Sequence, residues 1–314
     1  MRADRRRKME KMRKSLLIGV FSTVVSAILY GFTPVLVSRI YDMGANAVTV
    51  SFLRNLFAIP LAFAWVKLKG GRACLPRQYL PPLLRIGVLG VASTTLLLYS
   101  SYAFVEVGTA TVLHFLYPLF AAVIGRLFFK EHITIRRAAA LVIACGGLSC
   151  FLAPGGGSDK QWIGIVMALL SGISYAYYMV SMEKERICLL DVGAVTLHLA
   201  AIVALSIFLY GIVTGGMIWN LPLSAWLLSV LVSFCTSFGA VALLQLGVRY
   251  LSAGLAAILC LFEPISSIFF GWLLLNENMS ASKLLGSAVI LGALCLCVTE
   301  TGKIKRRNDS NDTP

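Results

Sequence analysis

The sequence predicts an all-α, polytopic membrane protein: ten transmembrane helices arranged as two inverted five-helix repeats. Three observations predict it. Of the 314 residues, 58% are hydrophobic and 13% charged, whereas ordinary globular domains carry about 45–50% apolar and about 25% charged residues. The apolar residues fall in runs of about 16–24, the length that crosses a hydrocarbon core about 30 Å thick. The second half of the chain repeats the first at a nearly constant offset.

The spans follow in order. The N-terminal MRADRRRKMEKMRKS is basic and precedes an apolar run from Leu16 to Ser38. That run exceeds the ~7–15 residues of a signal-peptide core, and no A-x-A pattern follows, so it predicts a retained first helix. Hydropathy places the ten helices at 16–38, 47–66, 86–107, 109–129, 137–152, 163–182, 192–213, 225–248, 252–275 and 282–298. The connections VEVGTA and RYLSAG are short enough to force antiparallel hairpins. Trp65, Trp162, Trp219 and Trp226 fall near predicted interfaces, as belt residues do.

Charge sets the direction. With the N-terminus inside, 24 Lys/Arg face the cytoplasm and three (Arg39, Lys160, Lys283) face the other side; Arg54 lies within the second span. Such a bias predicts cytoplasmic N- and C-termini and an even number of spans. It also accounts for the net charge of +14 without nucleic acid, the basic tails lying against anionic lipid.

The repeat is visible residue by residue. At an offset of 146, Gly108 meets Gly254, Pro118 meets Pro264, Gly125 meets Gly271, Glu131 meets Glu277, and Gly146 meets Gly292. SAILYG (26–31) resembles SGISYA (171–176) at an offset of 145. The chain therefore divides into a basic cytoplasmic tail (1–15), a first five-helix repeat (16–153), a second (161–299) and a cytoplasmic tail (300–314). Five is odd, so the second repeat enters the membrane upside down. Inverted repeats are typical of secondary transporters, with the site near the midplane between the halves. A duplicated structural protein without a cavity is the alternative, and it leaves the intramembrane polar residues unexplained.

The two fourth-helix motifs, LHFLYPLFAAVIGRLFFKEHIT and ILCLFEPISSIFFGWLLLNENMS, together with SFLRN in the second span, resemble the ten-helix, EamA-type members of the drug/metabolite transporter superfamily. The resemblance covers about residues 16–298. It implies a plasma-membrane carrier of small organic metabolites that moves them outward, with import the alternative direction. It also implies a central cavity formed by spans 1–4 and 6–9, with spans 5 and 10 outside. The repeat departs from strict symmetry where His114 aligns with Cys260 and Tyr117 with Glu263, so the two halves cannot bind the same group.

The candidate site residues follow from cost. A carboxylate at a helix centre costs about 2.5–3.5 kcal/mol on insertion scales, so Glu263 predicts a watery cavity or a partner, and a place for proton coupling. Pro264 and Pro118 each lack an N–H and predict helix breaks that free the carbonyls of Cys260 and His114. His114 is suited to hydrogen bonding or proton transfer, with Tyr117 on the same face. Arg54 is placed to pair with Glu106, with Glu263 or with an anionic solute. Ser26 and Tyr30 in span 1, and Ser171, Tyr175 and Tyr178 in span 6, form matching polar stripes that serve either a cavity wall or helix packing. Glu131 and Glu277 are expected to bind the ends of neighbouring helices. Ala140/Ala144 and Ala288/Gly292 have the small-xxx-small spacing of close packing or of a homodimer through spans 5 and 10.

Other chemistry lacks its motifs. The eight cysteines show neither metal-ligand nor disulfide spacing, and no metal or cofactor is expected. No Walker A, HExxH or nucleophile elbow is present, so no enzyme is predicted. The expected partners are a small-molecule substrate and the bilayer, not nucleic acid. A channel, or a non-transporting structural or receptor protein, is the alternative to a carrier.

Overall fold

The computed structural model describes residues 2–71, 73–129, 135–150, 160–187, 190–250, 259–293 and 295–296. All regular structure among them is helical. Span 1 is Arg2–Asp42, span 2 Ala47–Leu68, span 3 Arg77–Ser101, and span 4 Val107–His114 continued by Tyr117–Phe129. Span 5 is Ile135–Ser149, span 6 Gln161–Lys184 and span 7 Val192–Val213. Span 8 runs through Leu223–Ser233, Phe234–Ala240 and Val241–Tyr250; span 9 is described over Phe262–Leu275 and span 10 over Ala281–Ala293. Six of these helices are long and apolar enough to cross a membrane, and four more are shorter apolar helices.

Local chemistry repeats with the sequence. Span 2 begins where the Asn46 side chain accepts the Thr49 N–H at 2.9 Å; span 7 begins where Asp191 accepts the Ala194 N–H at 2.9 Å. Both side chains satisfy an N–H that the first turn leaves without a helical partner, and they are 145 residues apart. Spans 3 and 8 each contain a seven-residue π-helical segment, Ile86–Ala92 and Phe234–Ala240. Such segments are rare and cluster at functional sites.

The packing has the same symmetry. Span 1 lies along spans 8 and 9, and span 6 lies along spans 3 and 4. Exchanging each span for its counterpart five places on turns the first set of contacts into the second. Spans 2 and 7 pack on each other, as do spans 4 and 9, so both pairs straddle the pseudo-two-fold axis. This is the arrangement of two inverted five-helix repeats.

Three expectations change. Span 3 begins at Arg77 and ends at Ser101, earlier at both ends than 86–107. Pro81 and Pro82 sit in the first turn of Leu80–Arg85, where a missing N–H costs nothing, so they open a helix instead of marking a loop. Tyr102–Glu106 then turn the chain, and Val107 starts span 4. Second, the small stripe on span 5 is used inside the chain: Ala140 and Ala144 are buried with Ile290 and Ala293 of span 10. Only Ala288 and Gly292 face outward. Third, the carbonyl of Cys260 is not free, because the Glu263 N–H donates to it at 3.0 Å. Glu131, His132 and the first half of span 9 lie outside the described residues.

Candidate functional site

Both fourth-position helices break where their prolines predict. Span 4 is interrupted at Phe115–Leu116, just before Tyr117 and Pro118; the helical turn ahead of Glu263 and Pro264 is interrupted at Cys260–Leu261. The breaks face each other across a cavity of about 310 Å³ between the two repeats, at the lower end of the size range of small-molecule sites. Its lining comes from spans 1–4 and 6–9; among the described residues none comes from span 5 or 10.

Of the residues singled out in the sequence, Ser26, Tyr30, Arg54, His114, Tyr117, Tyr175, Tyr178 and Glu263 all line this cavity. Pro118 and Pro264 do not; they set the breaks that turn their neighbours inward. Ser171 is also absent from the lining and is fully buried behind His114.

The carboxylate of Glu263 accepts no hydrogen bond from the described residues and makes no ion pair with Arg54 (N···O within 4.0 Å). Its helix is held instead through its backbone, where the Ser266 hydroxyl donates to the Glu263 carbonyl at 3.0 Å. Arg54 donates to the Tyr99 hydroxyl at 2.9 Å and lies over the Tyr99 ring, 5.6 Å from its centroid. Neither charged partner proposed for Arg54 holds it, since Glu106 is bound by Lys283 at 2.6 Å. Among the described residues neither the guanidinium nor the carboxylate opposite has an ion-pair partner within 4.0 Å, although the two charges act on each other across the cavity.

The tautomer of His114 follows from its partner. The Ser171 hydroxyl lies 2.6 Å from the Ala168 carbonyl, which only accepts. Its single proton is spent there, so His114 Nδ1–H is the donor in the 2.9 Å contact with Ser171 Oγ. In the neutral ring Nε2 is then an acceptor, with no partner among the described residues. Ser26, the counterpart of Ser171, donates to the Ala240 carbonyl at 2.6 Å, at the end of the π segment of span 8. Both serines therefore spend their protons on backbone, and the polar stripes serve packing at these two positions. The aromatic wall is continuous: Tyr117 and Tyr175 are 4.7 Å apart by ring centroid, Tyr175 and Tyr178 5.4 Å, His114 and Tyr175 5.3 Å. Gly172 permits this approach, since a Cβ there would lie 2.8 Å from the His114 carbonyl.

Tyr99 and Tyr102 are cavity residues that sequence reasoning missed. They stack on each other at 5.7 Å. Their spacing of three, next to two serines in an apolar helix, was the available signal. Thr94 and Thr95, just after the π segment of span 3, and Thr236 and Ser237, within that of span 8, also line the cavity.

The two ends of the cavity differ. Toward one end it reaches Thr196, one turn inside span 7. At the other end spans 4, 9 and 10 are clamped. Glu277 accepts the Val107 N–H at 2.6 Å and the Gly108 N–H at 3.4 Å, and Lys283 donates to both carboxylate oxygens of Glu106 at 2.6 Å. Glu277 thus binds the end of a neighbouring helix, as the sequence predicted. Burial, and next the Glu106 carboxylate, push its pKa up to about 7, against the two N–H donors and Lys283.

An all-helical, membrane-spanning chain with a polar cavity enclosed between two repeats is the class that fold and site define. The chain matches the model of the EamA-like transporter family twice, over residues 17–153 and 162–299, and belongs to that family. It is similar to an uncharacterized transporter of Archaeoglobus fulgidus, with 24% identity over 90% of this chain and 97% of the relative. It is also similar to the uncharacterized transporter YdfC of Bacillus subtilis, with 24% identity over 72% of this chain and 74% of that one. One solved crystal structure shares the fold, with a TM-score of 0.62 at 16% identity over 93% of this chain and 98% of that chain. The protein is therefore an integral membrane protein of a transporter family.

Proposed function

We propose that this protein is a secondary transporter that exports small organic metabolites across the plasma membrane by alternating access, without chemical change to the solute. The observation that carries the proposal is the Glu263 carboxylate, which no described residue pairs, on a cavity shared by both repeats. A charge so costly to place in a bilayer has a use if the cavity's occupant completes it. The rest of the lining fits such an occupant. Arg54 offers further N–H donors, His114 Nε2 an acceptor, and the tyrosines an apolar wall with cation-binding faces. Solutes of mixed polar and apolar character, charged or zwitterionic, match this set.

Direction and coupling belong to the same proposal. The excess of Lys/Arg supports a reading with both termini in the cytoplasm, in which the clamped end of the cavity faces outward and Thr196 lies toward the cytoplasm. Outward movement of solute follows the family resemblance. A proton on Glu263 is the proposed coupling ion. The outward-facing Ala288/Gly292 stripe is the proposed homodimer contact.

Purified protein in liposomes, screened against a metabolite library by mass spectrometry, tests the proposal. Flux of the selected solute is expected to saturate, and to speed up when the same solute is present on the opposite side. Linear flux unaffected by solute on the far side indicates a channel, the competing reading of a cavity that spans the midplane. No flux of any solute supports a structural role.

A further inference from the structure

We propose that Glu277, with the Glu106–Lys283 ion pair beside it, is the outer latch of the transport cycle, and that protonation of Glu277 holds this latch shut. The inference rests on the central-cavity reading and on the orientation given above.

The geometry comes first. Glu277 lies in the connection between spans 9 and 10, in the second repeat. Its carboxylate takes the two leading N–H groups of span 4, in the first repeat. These N–H groups have no helical partner, so the contact satisfies them and lays a negative charge on the positive end of the helix dipole. Glu106, the residue just ahead of span 4, is gripped by Lys283 at the start of span 10. One turn deeper, Thr111 and Ser267 join spans 4 and 9 at 3.0 Å. All three contacts tie one repeat to the other at one end of the cavity. Alternating access requires the repeats to part there, so all three break together. By register, the opposite face has Glu131 in place of Glu277, but Arg137 and Ser252 in place of Lys283 and Glu106. The buried pair is therefore not repeated at the matching place on the opposite face, where the repeats are joined instead by the exposed Arg85–Glu185 pair at 2.7 Å.

The charges around Glu277 fix the sign of its pH response. Facing it are the N–H groups of Val107 and Gly108, the carboxylate of Glu106 and the ammonium of Lys283. From the end of span 9 the Gly271 carbonyl accepts the Glu277 N–H at 3.2 Å, and Arg39 of span 1, paired with Asp42, donates to the Leu274 carbonyl at 2.6 Å. Burial outweighs the donors, and in the closed latch the pKa is about 7. In an open latch the side chain is hydrated and titrates near the ordinary value of about 4.3. The closed form thus binds the proton more tightly, so acid favours closure and base favours opening. Between pH 8 and pH 6 the closed-to-open ratio is expected to rise about tenfold.

Cys260 lines the cavity beneath the latch and serves as reporter. The full chain with Cys260 as its single cysteine is expressed in cells and treated with a membrane-impermeant maleimide from outside. Glu277→Gln imitates the protonated acid and keeps an acceptor for the Val107 N–H. Glu277→Ala removes the acceptor. Labelling of wild type relative to Glu277→Gln is expected to increase about tenfold from external pH 6 to pH 8; the ratio cancels the pH dependence of the thiol. Glu277→Ala is expected to label faster than both at every pH. A ratio that does not change with pH overturns the pH-dependent latch, even if Glu277→Ala fails to fold. A folded Glu277→Ala that labels no faster than wild type overturns the latch itself. Cys260 that stays unlabelled in every variant, even after permeabilisation, overturns the cavity reading together with the latch.

Discussion

Glu263→Gln is expected to reach the membrane in normal or increased amount and to lose at least tenfold in transport. The two effects separate because they have different causes. An amide costs less than a carboxylate in a bilayer, so insertion becomes easier. The amide keeps the size and one acceptor oxygen but loses the charge that no described residue holds in an ion pair. If the carboxylate carries the proton, residual transport also stops responding to a pH gradient. Expression by immunoblot and flux in liposomes with and without an imposed gradient measure both effects. Near-normal, gradient-driven flux in Glu263→Gln removes the carboxylate from the mechanism and leaves it a packing group.

Gly31→Leu is expected to be the most damaging substitution outside the charged residues. Gly31 is where span 1 touches span 9. A Cβ there would lie 2.5 Å from the Glu263 carbonyl and 2.9 Å from the Ser267 backbone nitrogen, and would overlap the Ser266 hydroxyl. Two of the three obstacles are backbone, which cannot rotate away. Overpacking of this kind costs about 1–3 kcal/mol or more, and here it displaces the turn that presents Glu263. Folded yield after detergent extraction and the melting temperature are both expected to fall. Gly292→Leu, read on the monomer in detergent, is the comparison, because no described residue lies within 4 Å of a Cβ there and its effect is confined to the proposed homodimer contact. Equal stability of the two variants contradicts the close approach of spans 1 and 9.

Much of this architecture is legible in the sequence because the bilayer constrains it so strongly. Runs of apolar residues had to become helices, since no other open-ended structure satisfies its backbone in lipid. Pro118 and Pro264 had to break theirs, and both do. Glu277 was legible as a helix-end binder from its place after an apolar run. The partners were less legible. Arg54 pairs with Tyr99, which sits in another span at no recognisable spacing; only the fold brings the two together. The prolines of LPPLLR resemble a loop until their place in a first turn is known. The Cys260 carbonyl counts as free when only the lost Pro264 N–H is considered. It is satisfied because the chain tightens and Glu263 donates to it. Ser26 and Ser171 have the spacing of a cavity wall, yet both spend their protons on carbonyls, which spacing alone does not reveal.

Solute protection of Cys260 tests the central claim most directly, because this thiol lines the same cavity as Glu263 and Arg54. Alkylation of Cys260 in the single-cysteine protein is measured against increasing concentrations of a solute that the liposome screen shows to be transported. If the cavity between the repeats is where the solute sits, the rate falls as the solute is added, with a midpoint close to that of transport. Alkylation at full speed while transport is saturated places the solute elsewhere and contradicts the account.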